Sequence, residues 1–475
     1  MNHKIRTFLK NVFFATGANL SRIVTTLILT LVLPRVLSVE DYSYWQLYLF
    51  YGTYMIYSSI GWCEGTYLKY GGMEYSQVDG RECASQFWSL CIYETLVAVG
   101  LCLWGAAGSP DGQRLFLFAA AAVYMLLYIP KVQIQTILQA TNRISDYAWV
   151  YAGERLIYFV LVIAGLLLQW KSFYLVIFAE LISNLLMLGY GTWLCRDVIF
   201  RRPLPLPVSL RETAALIRVG YKLTLAGLAS QLIIGIVRIS IEYRWGTVVF
   251  GKISLSFSMA NMLITCITAV SIVLFPMLKR SSREVLREHY STIRWGLTIP
   301  MFGMLLAYAP MKSILSWWLP QYAQSLKYLA ILFPLCIFET RNTLLVWTYL
   351  KVLRKEAQIM RVSLIMIVLS ALLTYFTVSV WDNLDLTVGL IMVLYALKAA
   401  LTEYVLSREM YVCRWTDWLA EGCLSGVFIL CSWSMGAVGA FFAYLAAYSG
   451  YLLFMRKDLM RTAAKLRQLW HMGRE

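Results

Sequence analysis

Seven basic residues lie inside segments that are otherwise apolar enough to cross a lipid bilayer, and one of them, Lys222, is near enough to a cytoplasmic helix end to reach water. A guanidinium or ammonium group at the centre of a transmembrane helix costs about 2.5–3.5 kcal/mol to insert. Arginine presents a planar fork of donors that matches the oxygens of a phosphate group. Several such groups around a dehydrated chamber would bind an anion, and a lipid-linked pyrophosphate entering from the bilayer has suitable chemistry. The predicted anion-binding residues are Arg22, Arg238, Arg155, Arg341, Lys398 and Lys131.

Glutamates in the same apolar segments form the second set of candidate residues. Lipid does not accept ionised carboxylates, so these side chains must face the protein interior or an aqueous cavity. They either bind a coupling ion or balance the charge of the arginines, and the sequence leaves both roles open. Glu242 lies one helical turn after Arg238, which favours a pair on one helix. The candidates are Glu94, Glu180, Glu242, Glu64 and Glu339.

Polar and small residues recur at helical spacing around the two central arginines. A stripe with spacings of three and four residues on an apolar helix indicates that one face meets water or other polar groups. These stripes lie in the helices that begin the two halves of the chain, and they predict a cavity between the halves. The stripes are Asn11, Ala15, Ala18, Arg22 and Thr26 in the first helix and Thr224, Gly227, Gln231, Gly235, Arg238 and Glu242 in the seventh.

The composition is that of a polytopic membrane protein. Of the 475 residues, 60% are hydrophobic and 14% are charged, whereas soluble domains are about 45–50% apolar and about 25% charged. The net charge of +16 comes mostly from alternate connecting segments, to one of which Arg294 is assigned. This distribution predicts cytoplasmic termini and argues against a nucleic-acid partner. Isolated cysteines without a CxxC pair and three histidines outside the apolar segments predict no metal site and no cofactor.

About fourteen segments are long and apolar enough to span a bilayer as helices, which predicts an all-α integral membrane fold. Among them are the second, 42–67, and the thirteenth, 417–434. The stretch RDVIFRRPLPLPVSLRE contains three alternating prolines and reads as a stiff linker between two halves. The predicted divisions are a six-helix N-terminal lobe (1–195), a cytoplasmic linker (196–212), a six-helix C-terminal lobe (213–408), two additional transmembrane helices (409–455) and a basic cytoplasmic tail (456–475).

Five stretches in order along the chain carry a family resemblance. They are TLVLPRVLSVEDYSYW (30–45), ILQATNRISDYA (137–148), the segment 216–263, VLFPML (273–278) and WWLPQYAQSLKYLAILFPLCIFE (317–339). Together they resemble the polysaccharide and oligosaccharide flippases of the MATE-like superfamily, of the type that translocates O-antigen units.

The resemblance implies a V-shaped bundle of two lobes that works by alternating access. Its substrate would be an oligosaccharide linked to a polyprenyl pyrophosphate, moved from the cytoplasmic to the outer leaflet of a bacterial inner membrane for surface polysaccharide synthesis. The implied partners are this lipid-linked oligosaccharide, membrane lipids, and a glycan polymerase or other assembly proteins. Ser21-Arg22 resembles a Ser-Arg pair whose arginine faces the cavity. Where many members have Asp-Arg in the seventh helix, this chain has Val237 before Arg238, which leaves Glu242 as the candidate partner.

Three alternatives stay open from the sequence. A cation-coupled small-molecule exporter of the same fold would have a more acidic cavity than the arginine-rich one predicted here. A membrane glycan polymerase or ligase would carry a large external loop and a catalytic constellation, and the sequence indicates neither, so we expect no enzymatic activity. A scaffold protein of a glycan assembly complex would share the fold without transport.

Overall fold

The structure is a computed structural model, and it consists of helices. It describes residues 3–108, 111–271, 283–353, 355–410, 415–456 and 460. Within these ranges, side chains are described except at 3–13, 15, 108, 266–271, 283–289, 356, 409, 410 and 415. The described backbone contains helices and short connections and no strand. The basic tail predicted at 456–475 lies almost entirely outside the described residues.

The described residues of the first half of the chain form ten α-helices, of which α9, with 40 residues, is the longest. The helices are α1 (His3–Val36), α2 (Val39–Met55), α3 (Trp62–Tyr70), α4 (Gly80–Gly108), α5 (Gly112–Ala140), α6 (Ile144–Leu167), α7 (Phe173–Leu194), α8 (Arg196–Ile199), α9 (Leu206–Trp245) and α10 (Thr247–Ser271).

The second half continues with shorter helices, several of which follow one another without a turn. They are α11 (Arg283–Met304), α12 (Tyr308–Trp318), α13 (Lys327–Leu332), α14 (Leu335–Arg341), α15 (Trp347–Val352), α16 (Glu356–Tyr375), α17 (Leu384–Met410), α18 (Trp415–Ser434) and α19 (Ala437–Phe454). Two π-helical segments, Asn342–Val346 and Phe376–Val380, extend α14 and α16.

Twelve of the helical stretches are long and apolar enough to cross a membrane. The prediction of an all-α, multi-pass membrane protein is therefore confirmed. The two remaining predicted spans are also helical but differ from the other twelve. The thirteenth corresponds to α18, which carries acidic residues at Asp417 and Glu421.

The sequence predicts one continuous helix for the second span, 42–67, but the structure shows two. It divides into α2 and α3, with a short 3-10 turn at Ile56–Ser59 between them. Ile60 and Gly61 then adopt positive φ angles of 50° and 90°. A β-branched residue seldom adopts such a conformation, whereas glycine does so without steric cost. Periodicity alone cannot reveal this break, because the residues on both sides are apolar.

Glycine packing holds this break in place. A Cβ atom added to Gly220 of α9 would lie 1.9 Å from the carbonyl oxygen of Gly61, and one added to Gly65 would lie 2.2 Å from the carbonyl oxygen of Leu216. The backbones of α3 and α9 thus approach each other as closely as glycine allows, as small residues permit between membrane helices.

Polar caps begin several helices where the chain reverses direction. The backbone N–H of Asp41 donates to the Ser38 hydroxyl at the start of α2, and Asp111 accepts from the backbone N–H of Gln113 at the start of α5. At the start of α7 the backbone N–H of Phe173 donates to the Asp41 carboxylate over 3.1 Å. These side chains satisfy amide groups that have no partner inside the helix.

The chain divides into two compact units, Met1–Gln231 and Leu232–Glu475. The division lies inside α9, downstream of the linker predicted at 196–212. In that linker, α8 is followed by the non-helical residues 200–205, and α9 then begins at Leu206. The division into two six-helix lobes and two additional helices stays a prediction.

We predict that Gly220→Ala destabilises the protein, because the new methyl group has no space against the Gly61 carbonyl. The matched control is Gly189→Ala in α7, where an added Cβ meets no atom within 4 Å and alanine favours the helix by about 1 kcal/mol. Thermal unfolding in detergent, followed by fluorescence, should show a lower midpoint for Gly220→Ala only. Equal midpoints for the two variants would contradict the close approach of α3 and α9.

Candidate functional site

Three helices of the first unit bring a lysine, a glutamate and an asparagine together in the protein interior. Lys131 of α5 donates to Glu154 of α6 over 2.5 Å and to Asn184 Oδ1 of α7 over 2.6 Å. All three side chains are buried, and Lys131 is 0% exposed. Its ammonium group also lies 4.5 Å from the centre of the Tyr128 ring. Lys131, a predicted anion ligand, is therefore neutralised by protein groups.

Arg155 and Glu180 extend this charged cluster. The Arg155 guanidinium lies 3.5 Å from Glu154 and 3.6 Å from Glu180. The Glu180 side chain is 3% exposed, whereas that of Arg155 is 19% exposed. Lys131, Glu154, Arg155 and Glu180 together carry two positive and two negative charges, so this group, which we call the first-unit cluster, is neutral overall.

Arg22 lies beside the first-unit cluster and differs from its basic members. Helix α1 packs on α6 through Ala18, Ala148 and Ala152, and Arg22 follows Ala18 by one turn. Its guanidinium carbon lies 4.7 Å from the centre of the Tyr151 ring, and the side chain is half-buried. Within the described part of the chain, Arg22 forms no ion pair. Its charge therefore adds one uncompensated positive charge next to a neutral cluster.

A larger buried cluster occupies the second unit, and Arg294 of α11 is at its centre. Arg294 donates to Glu403 over 2.6 Å and to Glu421 over 2.8 Å, and lies 3.5 Å from Asp417. Its side chain is 3% exposed. The sequence analysis counts Arg294 with a cytoplasmic connecting segment; in the structure it lies within α11, and its side chain is buried among acids from α17 and α18. The side of the membrane on which it lies stays a prediction.

Arg341 completes this second-unit cluster from the end of α14. It forms a short ion pair with Glu421 and lies 3.4 Å from Glu403. Glu403 also accepts hydrogen bonds from the Tyr290 hydroxyl and from the Trp418 indole, over 2.9 and 2.8 Å. The sequence analysis selected Arg341 but omitted Arg294, Asp417 and Glu421, because these three lie at or near predicted helix ends.

Lys398 and Glu339 form a separate pair in the second unit. The two side chains lie 3.2 Å apart, and the Lys398 ammonium lies 5.2 Å from the Trp347 ring. Thr343 donates to the other carboxylate oxygen of Glu339 over 3.3 Å. Lys398 therefore has a carboxylate partner, and Glu339 balances a charge on a neighbouring helix.

Arg238 is half-buried on α9 of the second unit, between aromatic rings and a hydroxyl group. Its guanidinium donates to the Ser254 hydroxyl over 2.9 Å and lies 5.1 and 4.9 Å from the rings of Phe250 and Phe257. Glu242 accepts from the Thr247 hydroxyl over 3.1 Å. A pair between Arg238 and Glu242 stays a prediction.

The last two candidate glutamates, Glu64 and Glu94, flank the break between α2 and α3. Glu94 of α4 is 0% exposed and accepts a hydrogen bond from the Ser58 hydroxyl over 2.8 Å. Glu64 of α3 is half-buried, and one of its oxygens is buried without a partner in the described chain. Neither carboxyl group has a basic partner among the described residues.

Comparison with known proteins identifies the fold. No known sequence family and no curated protein matches the chain. Among solved structures, the lipid II flippase MurJ in its inward closed conformation aligns over 95% of this chain and 100% of its own, with a TM-score of 0.61 and 10% identity. The eukaryotic MATE transporter AtDTX14 covers 87% and 97%, with a TM-score of 0.49 and 12% identity. An outward-facing MATE transporter of the MOP superfamily covers 96% and 93%, with a TM-score of 0.42 and 12% identity.

The chain shares the fold of a lipid II flippase. The predicted all-α membrane fold class is therefore confirmed. At 10% sequence identity, this likeness shows a shared fold alone.

We predict that Arg294→Ala destabilises the second unit strongly. Removing one member of a buried ion pair leaves unpaired charge and costs about 3–5 kcal/mol, and Arg294 has three acidic neighbours. Arg361→Ala, at an exposed position of α16, is the control. Thermal unfolding in detergent should separate the two variants clearly. A midpoint for Arg294→Ala close to that of Arg361→Ala would show that the acids do not depend on this arginine.

Proposed function

We propose that this chain is a flippase that moves an oligosaccharide linked to a polyprenyl pyrophosphate from the cytoplasmic to the outer leaflet, for surface polysaccharide synthesis. The observation that carries the proposal is Arg22, a half-buried guanidinium with an aromatic neighbour and no ion pair in the described chain. The shared fold with a lipid II flippase supports the same conclusion.

Ion pairs reduce the number of predicted basic residues that are available to bind a substrate. Lys131, Arg155, Arg341 and Lys398 each lie within 4 Å of a carboxylate. An anion would have to compete with these acids, so we assign the four residues to holding helices together. In the first unit, Arg22 is left as the group that contacts a pyrophosphate.

Arg22 has the chemistry that a diphosphate requires. A guanidinium donates two parallel hydrogen bonds to phosphate oxygens, and it loses less hydration energy on binding than an ammonium group does. The Tyr151 ring fixes one face of the guanidinium, so that the edge with its N–H donors stays available. The adjacent first-unit cluster is neutral and therefore leaves the attraction of Arg22 for an anion in place.

Arg238 is our candidate for a second pyrophosphate ligand, on the second unit. Its neighbours in the structure are a hydroxyl and two phenylalanine rings. The hydroxyl group and the two rings orient the guanidinium on this unit.

The proposed location of the protein is the bacterial inner membrane, with both termini in the cytoplasm. A lipid-linked oligosaccharide made in the cytoplasm requires the bacterial inner membrane, and the basic residues in alternate connecting segments favour cytoplasmic termini. A glycan polymerase acting on the outer leaflet would consume the product. A transport function without catalysis accounts for the basic residues described above, because we assign each of them to substrate binding or to charge balance.

We predict that Arg22→Ala abolishes the display of surface polysaccharide in cells that depend on this chain, because the head group loses its bidentate donor. Arg22→Lys should retain partial display, since it keeps the charge but not the fork. The measurement is surface glycan labelling together with the amount of protein in the membrane fraction. Lys222→Ala, an exposed position on α9, serves as the matched control.

The leaflet in which the substrate accumulates distinguishes the proposed role from its rivals. Cells with Arg22→Ala should accumulate lipid-linked oligosaccharide that is inaccessible to an enzyme added from outside. Accumulation in the outer leaflet would indicate a polymerase or ligase instead. Normal display with Arg22→Ala at normal protein levels would contradict the assignment of Arg22.

A further inference from the structure

Glu94 is a carboxyl group buried in the middle of α4, and it has no basic partner among the described residues. One of its oxygens, Oε2, accepts a hydrogen bond from Ser58. The other, Oε1, is buried and has no partner within the described chain. Glu94 differs in this respect from Glu154 and Glu180, which each lie within 4 Å of a cation.

The surroundings of Glu94 are mostly apolar. Leu90 and Ala98, one turn before and one turn after it on α4, belong to one hydrophobic cluster with residues of α3, α5 and α9. From α5 and α9 this cluster receives Ala122, Met125, Ile129 and Leu216. The titratable groups that interact with Glu94 include Cys91 and Tyr93 on its own helix and Cys63 on the broken span.

This environment favours the protonated form of Glu94. An ionised carboxylate needs several donors or a cation to replace its hydration, and the structure provides one hydroxyl donor. The protonated form leaves only one hydroxyl group unpaired, which costs much less than an unpaired charge.

Glu94 also contacts the break in the second predicted span. Ser58, its hydrogen-bond donor, belongs to the 3-10 turn Ile56–Ser59. The Tyr93 hydroxyl donates to the carbonyl oxygen of the same Ser58 over 3.1 Å. Broken helices within membranes occur where backbone groups line a cavity or move during transport. The state of Glu94 is thus linked directly to the conformation of this turn.

We propose that Glu94 carries an exchangeable proton and that its protonation state controls the break between α2 and α3. When the proton passes from the carboxyl group to water, the carboxylate must gain water or a cation at Oε1. The apolar cluster has no such group, so the turn at Ile56–Gly61 must open to admit it. The further step, that this proton drives transport, rests on the proposed function.

Infrared spectroscopy of the full-length protein in lipid nanodiscs tests the proton directly. The difference spectrum between the wild type and Glu94→Gln should contain the carbonyl stretch of a protonated carboxyl group. The band should decrease as the pH is raised between about 5 and 10, the range in which a buried glutamate titrates. Absence of the band throughout this range, or a band of constant size throughout it, would overturn the proposal.

Two variants serve as controls for that band. Glu82→Gln changes a glutamate at the start of the same helix that already pairs with Lys69, so the Glu94 band should persist. Ser58→Ala removes the hydrogen-bond donor that the described chain provides to Glu94 and should shift the band to higher frequency. A band that is insensitive to Ser58→Ala would assign it to another carboxyl group.

Hydrogen exchange reports the link to the break without any substrate. Backbone amides in a peptide covering Ile56–Gly65 should exchange faster at high pH in the wild type, after correction for intrinsic rates, and at a pH-independent corrected rate in Glu94→Gln. Equal pH dependence in the two proteins would overturn control of the break by Glu94.

Transport in proteoliposomes distinguishes this proposal from the flippase proposal. The probe is lipid-linked oligosaccharide extracted from cells that lack this chain. Flipping by the wild type should respond to an imposed pH gradient, and flipping by Glu94→Gln should not. A response of equal size in both proteins would overturn the coupling step. Absence of flipping in the wild type would instead contradict the flippase proposal, and the proton site would then be decided by the infrared and hydrogen-exchange experiments.

Discussion

Charge neutralisation inside an apolar environment is the constraint on which this structure depends. The helices of both units carry arginine, lysine and glutamate at positions where lipid would reject them. The first-unit cluster balances two positive charges with two negative ones. The second-unit cluster uses two arginines and three acids from four helices. These ion pairs fix which helix faces are interior, and the apolar residues pack around them.

The candidate functional groups of the first unit are charged residues that have no ion-pair partner in the described chain. Arg22 is a cation without an ion pair in the described chain, and Glu94 is a buried carboxyl group with one hydroxyl donor. The two cases have opposite consequences. An exposed edge of a guanidinium attracts an anion, whereas a buried lone carboxyl group retains a proton. The members of the first-unit cluster form ion pairs with one another, so we assign them to stability and geometry rather than to binding.

The sequence predicted the class of fold and most of the helices, because a span of about 20 apolar residues is a strong signal. It also selected Lys131, Arg155 and Arg341 as intramembrane cations. It could not show that these residues are paired, since their partners lie on other helices and no spacing along the chain encodes such contacts. The i, i+4 spacing of Asp417 and Glu421 at the start of α18 was the available signal for the second-unit cluster. The break at Gly61 was missed because it depends on a tertiary contact with Gly220.

The second-unit cluster has a consequence for biosynthesis. Arg294 leaves the ribosome before any of its three acidic neighbours, of which Glu403 follows 109 residues later and Glu421 follows 127 residues later. Until α17 and α18 are made, the insertion machinery must keep this arginine near water or beside the translocation channel. Helices α17 and α18 therefore do more than lengthen the bundle. They supply the carboxylates that allow α11, made earlier, to insert into the bilayer.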